Sequence, residues 1–421
     1  YGNSIIIRKT ILLRQKLALL LGYKSFSHYR LETEMAKGPE NVQNFLQSIW
    51  GPARRKVKKD TIELNKLFKS DGYSGKLKPW DWRYYAEKKR EKKFKFNEDD
   101  VKSYFQLDNL IDAISYSCNR LFNLKLKKVE MSAYHEDCKV FEVLKDNKRI
   151  GLFIGDYYAR EGKRSGAWCS TFRNQSKVNG KRLNPIVLNV CNFSKPQEGM
   201  PCLLTFDEAK TLFHEFGHAL HQLLSNVNFE MLSGTSVSRD FVELPSQWFE
   251  HWLESEEILK KFTCHYETKN NIPSKLLKNV ILSRTFNSGF DTTEYLASAI
   301  MDIKLHSEKT NSNPIKLEKT YLDKIGLTKA IYPRHNLAQF QHIFSGGGYA
   351  SAYYSYMWSE MMDEDAYSAF VETGNIFDKV TAKSFEKNIL SKGGLKEPEI
   401  LYKAFRKKLP DPKILIKSRN L

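Results

Sequence analysis

The chain has 421 residues, of which 67 are Lys or Arg and 49 are Asp or Glu, leaving a net charge of +18. With 41% hydrophobic residues, among them 26 Phe, 21 Tyr and 7 Trp, it carries enough apolar side chain for one or two sizeable cores, which excludes a disordered chain. Six cysteines without a CxxC pair disfavour a disulfide scaffold and a Cys-rich zinc site, and point to reduced thiols in a cytoplasmic protein.

At the N-terminus Leu12, Leu13, Leu17, Leu20 and Leu21 recur at helical spacing and stop at Gly22; Val42, Phe45, Leu46, Ile49 and Trp50 do the same and stop at Gly51. A Gly/Pro-containing turn region precedes a charged helix from about Asp81, a break is expected at Asn97-Glu98-Asp99-Asp100, and a further helix over about 107–122. The pattern then changes to alternation. Val140 to Leu144, the turn Lys145-Asp146-Asn147-Lys148 and Ile150 to Ile154 predict a β-hairpin, and Trp168–Phe172 and Ile186–Val190 predict two more short strands. After Thr205 the helical period returns, opened by the capping box Thr205-Phe206-Asp207-Glu208 ahead of Ala209 to Leu224. These changes of period divide the chain into a helical lobe over 1–124, a small sheet-containing segment over 125–195 and a helical catalytic region over 196–421.

No run approaches the roughly 18 apolar residues of a membrane span; Ile11 to Leu21 is interrupted by Arg14, Gln15 and Lys16, so no membrane partner is expected. The basic charge sits at 51–100, with 16 Lys/Arg against 9 Asp/Glu, and at 381–421, with 11 against 4; residues 201–260 hold 3 against 10. That acidic middle, with no nucleic-acid motif around the Lys-rich helices, argues against a nucleic-acid partner.

The acidic stretch also holds the chemistry. In Phe213-His214-Glu215-Phe216-Gly217-His218-Ala219-Leu220-His221, His214 and His218 are four residues apart, which puts both imidazoles on one helix face at a separation suited to a single Zn²⁺. Glu215 stands next to the first ligand, where a carboxylate serves as general base. A catalytic zinc needs a third ligand, and two residues compete. His221 would have to fold back along its own helix. Glu243, within Arg239-Asp240-Phe241-Val242-Glu243-Leu244-Pro245-Ser246-Gln247, begins a second helix that can return antiparallel and is favoured; Asp240 and Gln247 flank it and are candidates to orient a ligand imidazole. Further on, three glycines, Gly346 to Gly348, lead into a segment expected to be helical, on which Tyr349, Tyr353 and Tyr356 would share one face; phenols suit an oxyanion, and Gly347 and Gly348 offer backbone N–H groups to an extended peptide.

Together, the segments 213–221, 233–247 and 342–356 resemble the thimet oligopeptidase family of zinc peptidases, with lesser echoes at Met35-Ala36, Trp80-Asp81-Trp82 and Gly166-Ala167-Trp168. The resemblance implies a mainly α, zincin-type helical metallopeptidase with a small embedded β-sheet and two lobes around a deep channel. It implies one Zn²⁺ held by His214, His218 and Glu243, Glu215 as base, Tyr356 and Tyr353 as catalytic phenols, and His342 and Tyr349 as substrate contacts. Ser236, where some members carry His, and the spacing from His342 to Tyr349 lean towards the peptidyl-dipeptidase branch. The expected activity is hydrolysis of short peptides with release of C-terminal dipeptides. An endo-acting oligopeptidase is the alternative; an inactive zinc-binding or basic nucleic-acid-associated protein is disfavoured by the intact HExxH motif and the acidic 201–260 stretch. The start at Tyr1 and the longer relatives lead to the expectation that the chain is the C-terminal, zinc-bearing part of a longer protein.

Overall fold

The structure is a computed structural model that describes residues 2–309 and 312–421. It is mainly helical, with one five-stranded sheet. Its contacts divide the chain into two compact units: one of 1–95, 282–361 and 411–421, the other of 96–281 and 362–410. This grouping follows packing and not chain order, so it cuts across the consecutive segments expected at 1–124, 125–195 and 196–421.

In the first unit the helix Pro39–Ser70 is the organising element. The stop expected at Gly51 does not occur: the helix runs on through Pro52. A proline inside a helix costs about 3 kcal/mol or more. Here the apolar face that begins at Val42 continues through Ala53, Val57, Leu64 and Phe68, all buried, and each large side chain so buried returns about 1.5–3 kcal/mol. Trp50, also buried, donates its indole N–H to Ile325 O at 3.1 Å, and Trp82 stacks on Phe290 at 5.1 Å between ring centroids while donating to Asn287 Oδ1 at 3.0 Å. The helix Ser288–Ser307 supplies Leu296, Ala299, Met301 and Ile303 to the core that takes in Val42, Trp50 and Ala53.

In the second unit the strands are β1 (Leu124–Lys128), β2 (Lys139–Lys145), β3 (Lys148–Tyr158), β4 (Trp168–Arg173), β5 (Ser176–Val178), β6 (Lys181–Leu183) and β7 (Ile186–Phe193). The main sheet has the order β1-β2-β3-β7-β4, with β3 and β7 parallel and the other neighbours antiparallel; β5 and β6 form a separate ribbon. The expected hairpin is β2–β3, turned by Asp146 (φ 48°) and Asn147 (φ 63°), the paired left-handed residues of a type I′ turn. β1 and the β5–β6 ribbon lacked a readable alternation. The break expected at 97–100 is instead a short helix, Glu98–Lys102, because Asn97 Oδ1 caps Asp100 N at 2.7 Å.

The sheet backs the helix Phe206–Leu224. Phe153 of β3 meets Phe216 edge-on at 5.0 Å, and Phe213 stacks on Phe249 of the helix Leu244–Leu253 at 5.5 Å. Gly217 lets these two helices touch: a Cβ there would lie 2.5 Å from both Pro245 O and Ser246 Cα. No helix among the described residues is long and apolar enough to cross a membrane.

Candidate metal centre and active site

The first two candidate ligands stand on a well-capped helix. Thr205 Oγ1 accepts from Glu208 N at 3.1 Å and Glu208 Oε2 accepts from Thr205 N at 2.8 Å, closing the expected capping box, and Asp207 and Glu208 place negative charge at the helix's positive end. The motif residues follow two turns later, with the rings of His214 and His218 5.0 Å apart and nearly perpendicular. Glu243 lies at the junction between the short helix Arg239–Val242 and Leu244–Leu253, where Pro245 occupies the first turn and Ser246 Oγ lies 3.1 Å from Glu243 Oε2.

The three groups converge. Glu243 Oε2 is 3.2 Å from His214 Nε2 and 3.1 Å from His218 Nε2, and one ligand atom from each residue lies within 4.8 Å of the others. His214 Nδ1 is engaged on its far side by Glu250 Oε1 at 2.6 Å, and Glu250 Oε2 in turn pairs with Lys210 Nζ at 3.0 Å. A ring that donates Nδ1–H to a carboxylate turns its Nε2 lone pair towards the cluster, the arrangement of a metal-ligating histidine. The donor set of two imidazole nitrogens and one carboxylate oxygen fits a divalent cation such as zinc.

Electrostatics agree. Burial works against charge on His214, yet Glu243 and Glu250 outweigh it and hold the ring well above the usual imidazole range. Glu243 is held well below the usual carboxylate range by His218 and His214 despite its burial. Burial likewise opposes ionisation of Glu250, but Lys210 and His214 bring it down to about 2. The pocket thus keeps two carboxylates ionised around a point where positive charge is favoured. Glu215 differs: burial pushes its carboxyl up, His214 and His218 only partly offset this, and its Oε2 is buried with no hydrogen-bond partner among the described residues.

His221 is fully buried, burial and His218 lower it to about 3, and neither ring nitrogen has a hydrogen-bond partner among the described residues. It is not in the cluster: the helix turns its i+7 position into the core. Asp240 and Gln247 do not orient an imidazole either, since His214 Nδ1 goes to Glu250 and His218 Nδ1 has no partner among the described residues. Glu250 escaped the sequence reading although it had a signal: it lies seven residues past Glu243 on the same helix face.

The remaining candidates lie in the other unit. The helix expected to carry Tyr349 and Tyr353 is absent: residues 345–354 form successive turns, and helix begins at Ser355. Gly346 (φ 86°), Gly347 (φ 72°) and Ser351 (φ 62°) adopt left-handed backbone, and the N–H groups of Ser351 and Tyr353 donate to Asp302 Oδ1 and Oδ2 at 2.8 and 3.0 Å. A buried carboxylate thus takes the N–H groups a helix would have used. Arg14 Nη2 donates to Ile343 O at 2.7 Å and Arg30 Nη2 to Gly348 O at 3.3 Å, holding the same loop. The rings still gather. Tyr349 stacks on Tyr356 at 5.3 Å, Tyr353 meets Tyr356 at 5.8 Å, and His342 lies 5.2 Å from Tyr353 and 5.9 Å from Tyr349.

Comparison with known proteins bears on this arrangement. The fold is shared with solved structures that include an M32 carboxypeptidase from Deinococcus radiodurans R1 (12% identity, TM-score 0.56, 98% of this chain and 73% of that one) and PZ peptidase A (14%, 0.56, 100% and 65%). Among curated sequences, the chain is 35% identical to Dipeptidyl carboxypeptidase of Escherichia coli over 99% of its length, and 35% identical to Oligopeptidase A of the same organism over 97%. It spans 62% and 61% of those two proteins. The sequence model of Peptidase family M3 matches residues 1–421, and the chain belongs to that family.

Proposed function

We propose that this chain carries the metal site of a zinc metallopeptidase that hydrolyses short peptides, with His214, His218 and Glu243 as the ligands. One observation carries the reading: a single oxygen of Glu243 stands within 3.2 Å of both Nε2 atoms while Glu250 occupies Nδ1 of His214. The chemistry a zinc ion supplies in such a site is Lewis acidity, which acidifies water towards neutrality and polarises a carbonyl.

The protein's own groups do the rest. Glu215, adjacent to the first ligand and with no hydrogen-bond partner on Oε2 among the described residues, accepts the proton of the attacking water and returns it to the leaving amine. Burial raises its affinity for that proton, which suits a group that must take it and give it back. Tyr356 and Tyr353 are assigned as hydroxyl donors to the substrate's developing oxyanion, and His342, Tyr349, Gly347 and Gly348 as contacts to an extended peptide backbone; these roles follow the family resemblance. We assign release of C-terminal dipeptides, consistent with the name of the Dipeptidyl carboxypeptidase relative, over endo-acting cleavage.

The test is Glu215→Gln, which keeps all three ligands and removes the proton acceptor. Bound zinc should be unchanged while peptide turnover falls by about 10²–10⁴-fold, the scale of a positioned acid/base. Turnover near wild type in a zinc-replete variant overturns the assignment of Glu215 as base.

A further inference from the structure

Within the unit of 1–95, 282–361 and 411–421, the segment that carries the tyrosines is held by a buried polar relay. It starts at Arg14 on the first helix, Gly2–Leu20. Arg14 Nη1 lies 3.0 Å from His306 Nε2, and His306 Nδ1 lies 2.9 Å from both Oδ1 and the backbone O of Asp302. A guanidinium has only donors, so Nε2 accepts from it and Nδ1–H donates to Asp302. Asp302 in turn takes the N–H of Ser351 on Oδ1 at 2.8 Å and that of Tyr353 on Oδ2 at 3.0 Å. The side chains of Asp302 and His306 are fully buried. Their surroundings are aromatic: the His306 ring packs on Phe26 at 5.2 Å between centroids, and Arg14 lies over the Phe26 and Phe344 rings at 5.4 and 5.7 Å.

The same guanidinium reaches the other end of the segment, where Nη2 donates to Ile343 O at 2.7 Å. One side chain therefore fixes 343–353 at both ends, directly at Ile343 and through His306 and Asp302 at Ser351 and Tyr353. Between these ends Gly346, Gly347 and Gly348 offer no side chain to pack, so the ends carry the burden of placing the segment. It runs close over Arg14: a Cβ on Gly347 would lie 3.2 Å from Arg14 Nη2. Every hydrogen-bond partner of the Asp302 side chain is a donor, and Oδ1 serves two of them. Only a carboxylate meets that demand. An amide would set its own N–H groups against Tyr353 N–H on one side, or against Ser351 N–H and His306 Nδ1–H on the other.

We infer that Asp302, backed by His306 and Arg14, is a positioning residue that fixes segment 343–353 and thereby sets the phenols of Tyr353 and Tyr356 for the reaction. This rests on the reading of the chain as a peptidase that uses those phenols, and deepens it by naming what holds them. A group that acts only in the transition state must be placed before the substrate arrives, and a displacement of about 1 Å from a change away from the chemistry can cost about 10²-fold.

The experiment compares the zinc-loaded chain with Asp302→Asn and Arg14→Lys, each made alone and in a Tyr353→Phe/Tyr356→Phe background. Turnover of a short peptide gives kcat. Hydrogen–deuterium exchange read by mass spectrometry follows the amides of 345–354, with the helix Phe206–Leu224 of the other unit as internal control. Asp302→Asn should speed exchange at Ser351 and Tyr353 by about 10-fold or more, the scale of a buried hydrogen bond lost, and leave the control helix unchanged. Its kcat should fall by about 10²-fold with both tyrosines present, but by less than about 3-fold with both phenols gone, because the changes then act through the same groups. Arg14→Lys keeps the charge without the two-pronged donor, and should move both readouts the same way by less.

Wild-type exchange at 345–354 in both variants overturns the relay. Faster exchange with kcat lost equally in the two backgrounds overturns the positioning of the phenols. If Asp302→Asn also loses protection in the control helix it has failed to fold, and Arg14→Lys decides by the same criteria. If the wild type cleaves no peptide, or the tyrosine pair variant matches it, the reading of the phenols as catalytic fails, and exchange still decides whether Asp302 fixes the segment.

Discussion

Nδ1 of His214 is hydrogen-bonded at 2.6 Å to Glu250, a residue two helical turns beyond the third candidate ligand. That bond fixes which nitrogen of His214 faces Glu243 and ties the helices Phe206–Leu224 and Leu244–Leu253 together at the site.

Glu250→Ala should therefore weaken metal binding by about 10–100-fold without abolishing it, the usual cost of removing a partner that orients a ligand. Competition with a chelator of known affinity reads this directly. Unchanged affinity would mean that His214 is held by packing alone.

Gly217→Ala tests the helix contact beneath the site. Helix propensity alone favours alanine over glycine by about 1 kcal/mol. Here the new Cβ would lie 2.5 Å from the backbone of Pro245 and Ser246, a contact that cannot be relieved by a side-chain rotation. Net destabilisation of about 1–3 kcal/mol is expected in urea unfolding, as for overpacked cores. Stabilisation would show that the two helices are not in contact there.

What was legible in the sequence was what local chemistry decides. The Thr205–Glu208 box opens its helix, Asp146-Asn147 turns the hairpin, and the four-residue spacing of His214 and His218 puts both rings on one face. What was not legible depends on partners remote in the chain. The Gly51-Pro52 stop signal is overridden because the helix on either side buries one continuous apolar face. Residues 345–354 leave the helical path because Asp302, 49 residues before Ser351, supplies the acceptor. His221 shares the motif helix with the ligands but points into the core, a direction its spacing from His218 alone did not settle.

A third expectation concerns pH. Asp156 on β3 accepts Arg160 on both oxygens at 2.7 and 2.8 Å, Lys163 Nζ at 2.9 Å and the Tyr134 hydroxyl at 2.6 Å. Burial opposes its ionisation, but these partners bring it from the ordinary 3.8 to about 2. A carboxylate depressed on folding contributes stability that is present above its unfolded value and lost as pH falls through the folded one. Asp156→Ala should cost about 3–5 kcal/mol near neutrality, as for a buried pair deprived of one partner. The gap to wild type should narrow as pH drops from about 4 towards about 2. A gap independent of pH over that range would show that the carboxylate's charge contributes nothing.

The central claim is that His214, His218 and Glu243 hold one metal ion, and elemental analysis by mass spectrometry of the purified chain beside the His214→Ala/His218→Ala double variant tests it most directly. The account predicts about one zinc per folded wild-type chain and none above background in the variant, since two of three protein ligands are gone. Stoichiometric zinc retained by the double variant would contradict it.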